Sequence, residues 1–224
     1  MTTAIIVAAG RGTRIGGSTP KQFLEVGGEP MVMKTMRVFE ESDVIDEILL
    51  VTSAEYMDYC RQKIVKGGKF HKVRDIIEGG AERYDSVYNA LLACEGSDYV
   101  MIHDAARPYV TDDILERTDR AVRVYSAVAV GVPSKDTVKI ADENGFAMET
   151  PDRSRVWLIQ TPQAFSYELI RKANDMLRAE GRMEGITDDA GIVEASGLAK
   201  VRLVEGAYTN IKITTAEDLP KKKW

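Results

Sequence analysis

A glycine-rich turn set between a β-branched run and two cations is the first stretch of this chain whose residue types suit chemistry. Ala4-Ile5-Ile6-Val7 leads into Ala8-Ala9-Gly10-Arg11-Gly12-Thr13-Arg14, and Pro20-Lys21-Gln22 follows. Glycines let the backbone approach a ligand closely, and successive N–H groups form a concavity that binds anions. A dinucleotide fingerprint needs a third glycine where Ile15 stands, and an acid after the next strand, which ends Val51-Thr52-Ser53. A P-loop needs G-x-x-x-x-G-K-[ST], and no such run occurs. What remains suits a triphosphate: the glycines admit the phosphates, while Arg14 and Lys21 neutralise them. Ordinary solvated surface cations are the plain alternative.

Further motifs follow in order. Gly79-Gly80-Ala81-Glu82-Arg83-Tyr84-Asp85-Ser86-Val87 joins a strand to a helix, and His103-Asp104-Ala105-Ala106-Arg107-Pro108 ends the next strand. Then come Lys135-Asp136-Thr137, Asp152-Arg153, Gln160-Thr161-Pro162-Gln163, Ile186-Thr187-Asp188-Asp189 and Asn210-Ile211-Lys212. Taken with the first loop, this series resembles the 2-C-methyl-D-erythritol 4-phosphate cytidylyltransferase family almost end to end. The ribitol-5-phosphate cytidylyltransferases share many of these motifs. Asp-Ala-Ala-Arg-Pro, and Asp152-Arg153 with Trp157, put the chain nearer the first branch.

The resemblance implies an Mg²⁺-dependent transfer in which a polyol phosphate attacks the α-phosphorus of CTP and pyrophosphate leaves. It implies that Arg14 and Lys21 hold the triphosphate and stabilise the pentacoordinate transition state. Ala8, Ala9, Gly10 and Gly12 would line the cytidine and phosphate path, and Gly80 and Ser86 would meet the cytosine and ribose. The resemblance places an acid in many relatives where this chain has Ala81, so that position is expected to act through its backbone. Asp104 would meet Mg²⁺ directly or through its water, with Ala105 beside it on the CTP side. The acceptor would be met by Asp104, Arg107, Thr137, Arg153, Thr161, Thr187 and Lys212, with Arg153 and Lys212 joining Arg14 and Lys21 as catalytic residues. Blander roles stand beside these. Asp104 also suits a strand-end cap paired with Arg107. Thr187, just before Asp188-Asp189 and a helix, suits an N-cap. Lys212, between Ile211 and Ile213 in an apparent strand, suits a solvent-facing edge lysine.

The chemistry needs no protein nucleophile. A phosphate monoester has a second pKa of about 6 and is largely dianionic at neutral pH. The chain's two histidines, His71 and His103, form no evident triad. What is needed is to bring two anions together and stabilise the charge on the transferring group, which fixed cations and Mg²⁺ do by positioning and electrostatics. A non-catalytic nucleotide-binding regulator would be expected to lack Arg14, Lys21, Asp104 or Lys212, and all four are present.

The elements that must hold these residues alternate. Strands are predicted at Ala4–Ala8, Glu47–Val51, Val73–Ile77, Tyr99–Ile102 and Ala127–Val132, with helices at Met31–Phe39, Tyr56–Val65, Tyr84–Cys94 and, capped by Thr111, up to about Tyr125. Continuous apolar strands separated by helices predict a Rossmann-like, mostly parallel sheet of the nucleotidyltransferase type, covered on both faces, with right-handed crossovers and ligands at the strands' carboxyl ends. After Pro133 the order breaks. Thr137–Ile140, the turn Asp142-Glu143-Asn144-Gly145 and Phe146–Thr150 predict an inserted hairpin. A lone hairpin is marginal in water, so Ser134–Arg155 is expected to be a protruding arm that embraces a second copy of the chain rather than a surface decoration. Strand signals at Trp157–Gln160, Val201–Val204 and Asn210–Thr214 flank helices near Tyr167–Glu180 and Thr187–Ser196. Residues 1–224 are expected to form one domain.

Composition bounds the rest. With 44% hydrophobic and 29% charged residues the chain is ordinary globular material. Lys plus Arg is 30 against Asp plus Glu at 35, a formal net charge of −5 that weakens any nucleic-acid or anionic-membrane reading. A polyanionic substrate must therefore be met by a local cluster of cations. No apolar run is long enough to span a membrane, and because Met1-Thr2-Thr3 leads straight into a strand no secretory leader is expected. Cys60 and Cys94 lack metal-ligand spacing and are expected to be small buried hydrophobes in helices of a cytoplasmic protein. Lys221-Lys222-Lys223-Trp224 is expected to be a solvated tail.

Overall fold

The computed structural model describes residues 1–10 and 20–219. Seven strands form one sheet in the order β3-β2-β1-β4-β8-β5-β9. They are β1 (Thr2–Val7), β2 (Glu47–Thr52), β3 (Val73–Glu78), β4 (Tyr99–Asp104), β5 (Ala127–Pro133), β8 (Trp157–Ser166) and β9 (Arg202–Glu205). Neighbours pair in parallel except β8, which runs antiparallel to both β4 and β5.

Period-two alternation in the strands builds two cores, one on each face. On β1, Ala4 and Ile6 join Phe39, Ile114, Leu115 and Val122 from α1 (Met31–Glu41) and α4 (Asp112–Tyr125). Ile5 points the other way, to Val87, Leu91, Ile170, Leu177 and Val193 from α3 (Arg83–Leu92), α5 (Tyr167–Ala179) and α6 (Asp189–Ser196). No helix among the described residues is long and apolar enough to cross a membrane.

Several local expectations need correction. The helix expected over Tyr56–Val65 is a composite: a 3-10 turn Ala54–Tyr56, one α turn α2 (Met57–Tyr59), then π-helical turns Cys60–Lys66. Cys94 is buried but lies just past α3. Thr111 does occupy the N-cap of α4, yet only its carbonyl serves, accepting from the Ile114 N–H at 3.0 Å. The signal at Trp157–Gln160 is the first part of a ten-residue strand that runs to Ser166. Asn210–Thr214 is not a strand. The hairpin is shorter than expected, with β6 (Ile140–Ala141) paired to β7 (Ala147–Glu149) in a separate two-stranded sheet.

Candidate active site

The carboxyl ends of β1 to β4 open into one cleft of about 850 Å³. Its walls include Ala8, Ala9 and Gly10 after β1, Ser53 after β2, Gly79 and Gly80 after β3, and Asp104 and Ala105 at the end of β4. This is where an open α/β sheet gathers ligands. Steric fit fixes the two glycines: a Cβ on Gly79 would lie 2.4 Å from Ala9 Cβ, and one on Gly80 2.3 Å from Asp85 Cβ. The Gly80 N–H donates to Ser86 Oγ at 3.0 Å, and that hydroxyl donates to the Glu82 carbonyl at 3.1 Å. Both residues line the cleft, and their polar atoms brace its rim.

Lys21 reaches the same cleft from a single 3-10 turn, Lys21–Phe23. The turn is pinned on both sides. Phe23 packs on Tyr56 and Tyr59 with ring centroids 4.9 and 5.1 Å away, and Gln22 Nε2 donates to the Ala8 carbonyl at 2.5 Å. Lys21 Nζ donates to the Ile213 carbonyl at 3.1 Å, which sets it beside the Lys212 segment. Arg14 and Gly12 lie outside the described residues, as does the Lys221–Trp224 tail.

A smaller cleft of about 240 Å³ adjoins the first. It is lined by Arg107, Thr161, Thr187 and Asp188 among others, and it shares Arg83, Asp104 and Lys212 with the larger one. At this junction Asp104 Oδ1 accepts from Arg83 Nε at 3.1 Å and Oδ2 meets Lys212 Nζ at 2.7 Å. Burial by itself would raise the Asp104 pKa, but the charges of Arg83, Lys212 and Arg107 outweigh it and hold the carboxyl well below the usual range. It is an anion at any working pH. Arg83 Nη2 also binds Asp189 Oδ2 at 2.8 Å, and Asp189 is fully buried at the start of α6. Burial pushes the Asp189 pKa up against the pull of Arg83.

The local alternatives resolve differently from expectation. Asp104 does not pair with Arg107, whose guanidinium donates to the Asn210 carbonyl at 2.8 Å and the Ile159 carbonyl at 3.5 Å. Asp188, not Thr187, caps α6, accepting from the Gly191 N–H at 2.9 Å, so Thr187 is left to the cleft. Lys212 is no solvent-facing edge lysine, being drawn inward onto Asp104. Thr161 is buried, with its hydroxyl held by the Asp104 N–H and His103 Nδ1, each at 3.1 Å. Burial lowers the His103 pKa to about 4, so the ring is neutral at pH 7. Thr137 and Arg153 join neither cleft of their own chain; both are exposed on the arm, where Arg153 Nη1 donates to the Lys135 carbonyl at 3.3 Å.

Two participants were not singled out by spacing. Arg83, within the Gly79–Val87 motif, is with Lys212 one of two cations among the described residues that line both clefts, and Asp189 anchors it. Position just after a strand-end glycine pair was the available signal for Arg83. Asp189 had none beyond its place at a helix start.

As for bound metal, no group of three or more His, Cys, Asp or Glu side chains is placed to hold an ion among the described residues. With Asp104 already paired to Arg83 and Lys212, a hard cation here would have to take most of its ligands from phosphate oxygens and water.

Known proteins carry the same arrangement of sequence and fold. Residues 2–223 match the family model described as 2-C-methyl-D-erythritol 4-phosphate cytidylyltransferase. The chain is 44% identical over 219 residues to the enzyme of that name from Lachnospira eligens, covering 98% of this chain and 96% of the other. It is 48% identical over 220 residues to the one from Geobacter metallireducens, covering 96% and 93%. The crystal structure of 4-diphosphocytidyl-2C-methyl-D-erythritol synthase from Anaerococcus prevotii superposes with a TM-score of 0.85 at 35% identity, covering 97% of this chain and 92% of that one. The Francisella tularensis cytidylyltransferase gives 0.80 at 29% identity, covering 97% and 95%.

Proposed function

Because this chain belongs to the 2-C-methyl-D-erythritol 4-phosphate cytidylyltransferase family, we propose that it joins CTP to 2-C-methyl-D-erythritol 4-phosphate, giving 4-diphosphocytidyl-2-C-methyl-D-erythritol and pyrophosphate. The observation that carries the reading is the shared wall. A nucleotide-sized cleft and a smaller polar one meet at Arg83, Asp104 and Lys212, where two substrates can be held end to end. The larger cleft takes CTP, with its triphosphate toward Lys21 and Arg14. The smaller takes the polyol phosphate.

A phosphate oxygen of the acceptor attacks the α-phosphorus, a new P–O bond forms, and the bond to the β-phosphate oxygen breaks as pyrophosphate departs. No proton has to be removed from the attacking dianion. Lys212 sits where the two anions meet, offsetting their repulsion and the charge that builds on the transferring group. Asp104 and Arg83 hold Lys212 and the junction in place and offer polar atoms to the ribose and acceptor. Lys21 stabilises the departing charge. Mg²⁺, carried in on the triphosphate, would neutralise phosphate charge with Asp104 or its water at the rim of the ion's shell. Titrating Mg²⁺ into nucleotide-free protein is therefore expected to give no heat, while chelation abolishes pyrophosphate release; tight binding without CTP would reject this arrangement.

The arm, with Thr137 and Arg153 away from their own clefts, supports a homodimer in which each subunit completes its neighbour's acceptor site. Two free, buried cysteines are consistent with work in the cytoplasm.

The acceptor is tested by measuring pyrophosphate release with CTP and each of two phosphates. A pocket built of hydrogen-bonding groups discriminates strongly against a misplaced hydroxyl, so kcat/KM should favour methylerythritol phosphate over ribitol 5-phosphate by about 10²-fold or more. Equal or reversed turnover would reassign the acceptor.

A further inference from the structure

His103 is fully buried one residue before Asp104, its ring tilted against Phe39 with centroids 5.0 Å apart. Its Nε2 lies 3.2 Å from the Arg107 carbonyl oxygen. A carbonyl only accepts, so Nε2 carries the ring's proton. Nδ1 of the neutral ring then only accepts, and its 3.1 Å neighbour Thr161 Oγ1 must donate to it. The same oxygen accepts from the Asp104 backbone N–H. A hydroxyl has one proton and two acceptor positions. The proton and one acceptor position of Thr161 are thus committed within the protein, and what Thr161 has left for the smaller cleft it lines is a lone pair.

We propose that His103 is a positioning residue for the acceptor: by holding the Thr161 hydroxyl proton it leaves Thr161 able only to accept, so this point of the smaller cleft takes a substrate hydroxyl and not a phosphate oxygen. The inference rests on the polyol-phosphate reading above and gives that substrate a direction. A dianionic phosphate offers no proton and is turned away from Thr161 toward the cations, chiefly Lys212, which pairs with the Asp104 carboxylate rather than with its backbone. The polyol end lies against Thr161. Without the ring nitrogen, the hydroxyl rotates freely and donates as readily as it accepts, and the distinction between the two ends of the acceptor is blurred.

Three substitutions separate this from plain core packing. Asn at 103 can place its amide oxygen near the position of Nδ1, Gln can place a donor near that of Nε2, and Phe keeps the ring shape with neither. H103Q and H103F are expected to raise the acceptor KM about tenfold, the scale of one hydrogen bond, with CTP affinity by calorimetry within about twofold of wild type. H103N should raise the acceptor KM less than about threefold. A merely structural His103 would instead move both substrates together and treat Asn no better than Phe. That pattern, or an unmoved acceptor KM in H103Q, overturns the proposal. If H103F does not fold, the Asn–Gln contrast decides alone. Wild type is measured alongside: no release of pyrophosphate from CTP and methylerythritol phosphate by wild type would defeat the functional reading itself, whereas an active wild type with equal Asn and Gln variants defeats only the role of His103.

Discussion

Lys212→Ala is expected to lower kcat by about 10²–10³, the usual loss when one preorganised charge-stabilising donor is removed from a transfer site. CTP binding measured by calorimetry should change by no more than about threefold, because the triphosphate keeps Lys21 and Arg14. The two effects separate because Lys212 stands on the wall common to both clefts, its Nζ 2.7 Å from Asp104 Oδ2. Folding should survive, since Asp104 keeps Arg83 at 3.1 Å and the lysine is itself partly exposed. Lys212→Arg should recover little: a planar fork anchored on a carboxylate does not place a compact charge at the same point. If CTP affinity collapses while kcat at saturation holds, Lys212 belongs to the nucleotide; if neither moves, it is only the partner of Asp104.

The sequence made the scaffold and the order of motifs readable, because both depend on local patterns. Apolar runs at β1, β2, β4 and β5 are buried on both faces and stand out without any tertiary information. Strand β8 was only half visible because its second part is polar for a reason that lies outside it. Gln163 Nε2 donates to Asp188 Oδ2 and its Oε1 accepts from the Ala190 N–H, both at 2.8 Å, while Thr161 holds the end of β4. Those side chains tie α6 and β4 to the strand, and from the sequence they look like a loop. The partners of Asp104 were hidden similarly. Arg107 is the near cation in sequence, but its fork goes to two carbonyls, and the cations that hold Asp104 come from α3 and from the segment after β9. Pairings between distant parts of the chain leave no trace in residue spacing. The π-helical turns at Cys60–Lys66 likewise had no local signal.

Mixing two inactive variants, Lys21→Ala and Arg153→Ala, is expected to restore activity. Thr137 and Arg153 lie on an arm whose apolar side chains stay bare: Phe146 is 73% and Met148 71% exposed, with Ile140 also open to solvent. Two short strands carrying such residues are marginal alone and gain stability when a second surface covers them. A two-fold axis would cover the same patch on both chains at once and close the assembly. It would also carry each Arg153 away from its own clefts and into its neighbour's. Each variant alone should then lose about 10²-fold or more in kcat, since every site lacks one cation. In a heterodimer one site loses both cations and the other keeps both. With free exchange of an equal mixture half the dimers are mixed, so about a quarter of wild-type activity should return, by the counting that a two-fold dimer imposes. Recovery should follow the time course of subunit exchange. A chain that sediments as a monomer, or no recovery once exchange has been demonstrated, would place Arg153 outside the site and leave the arm without its proposed role.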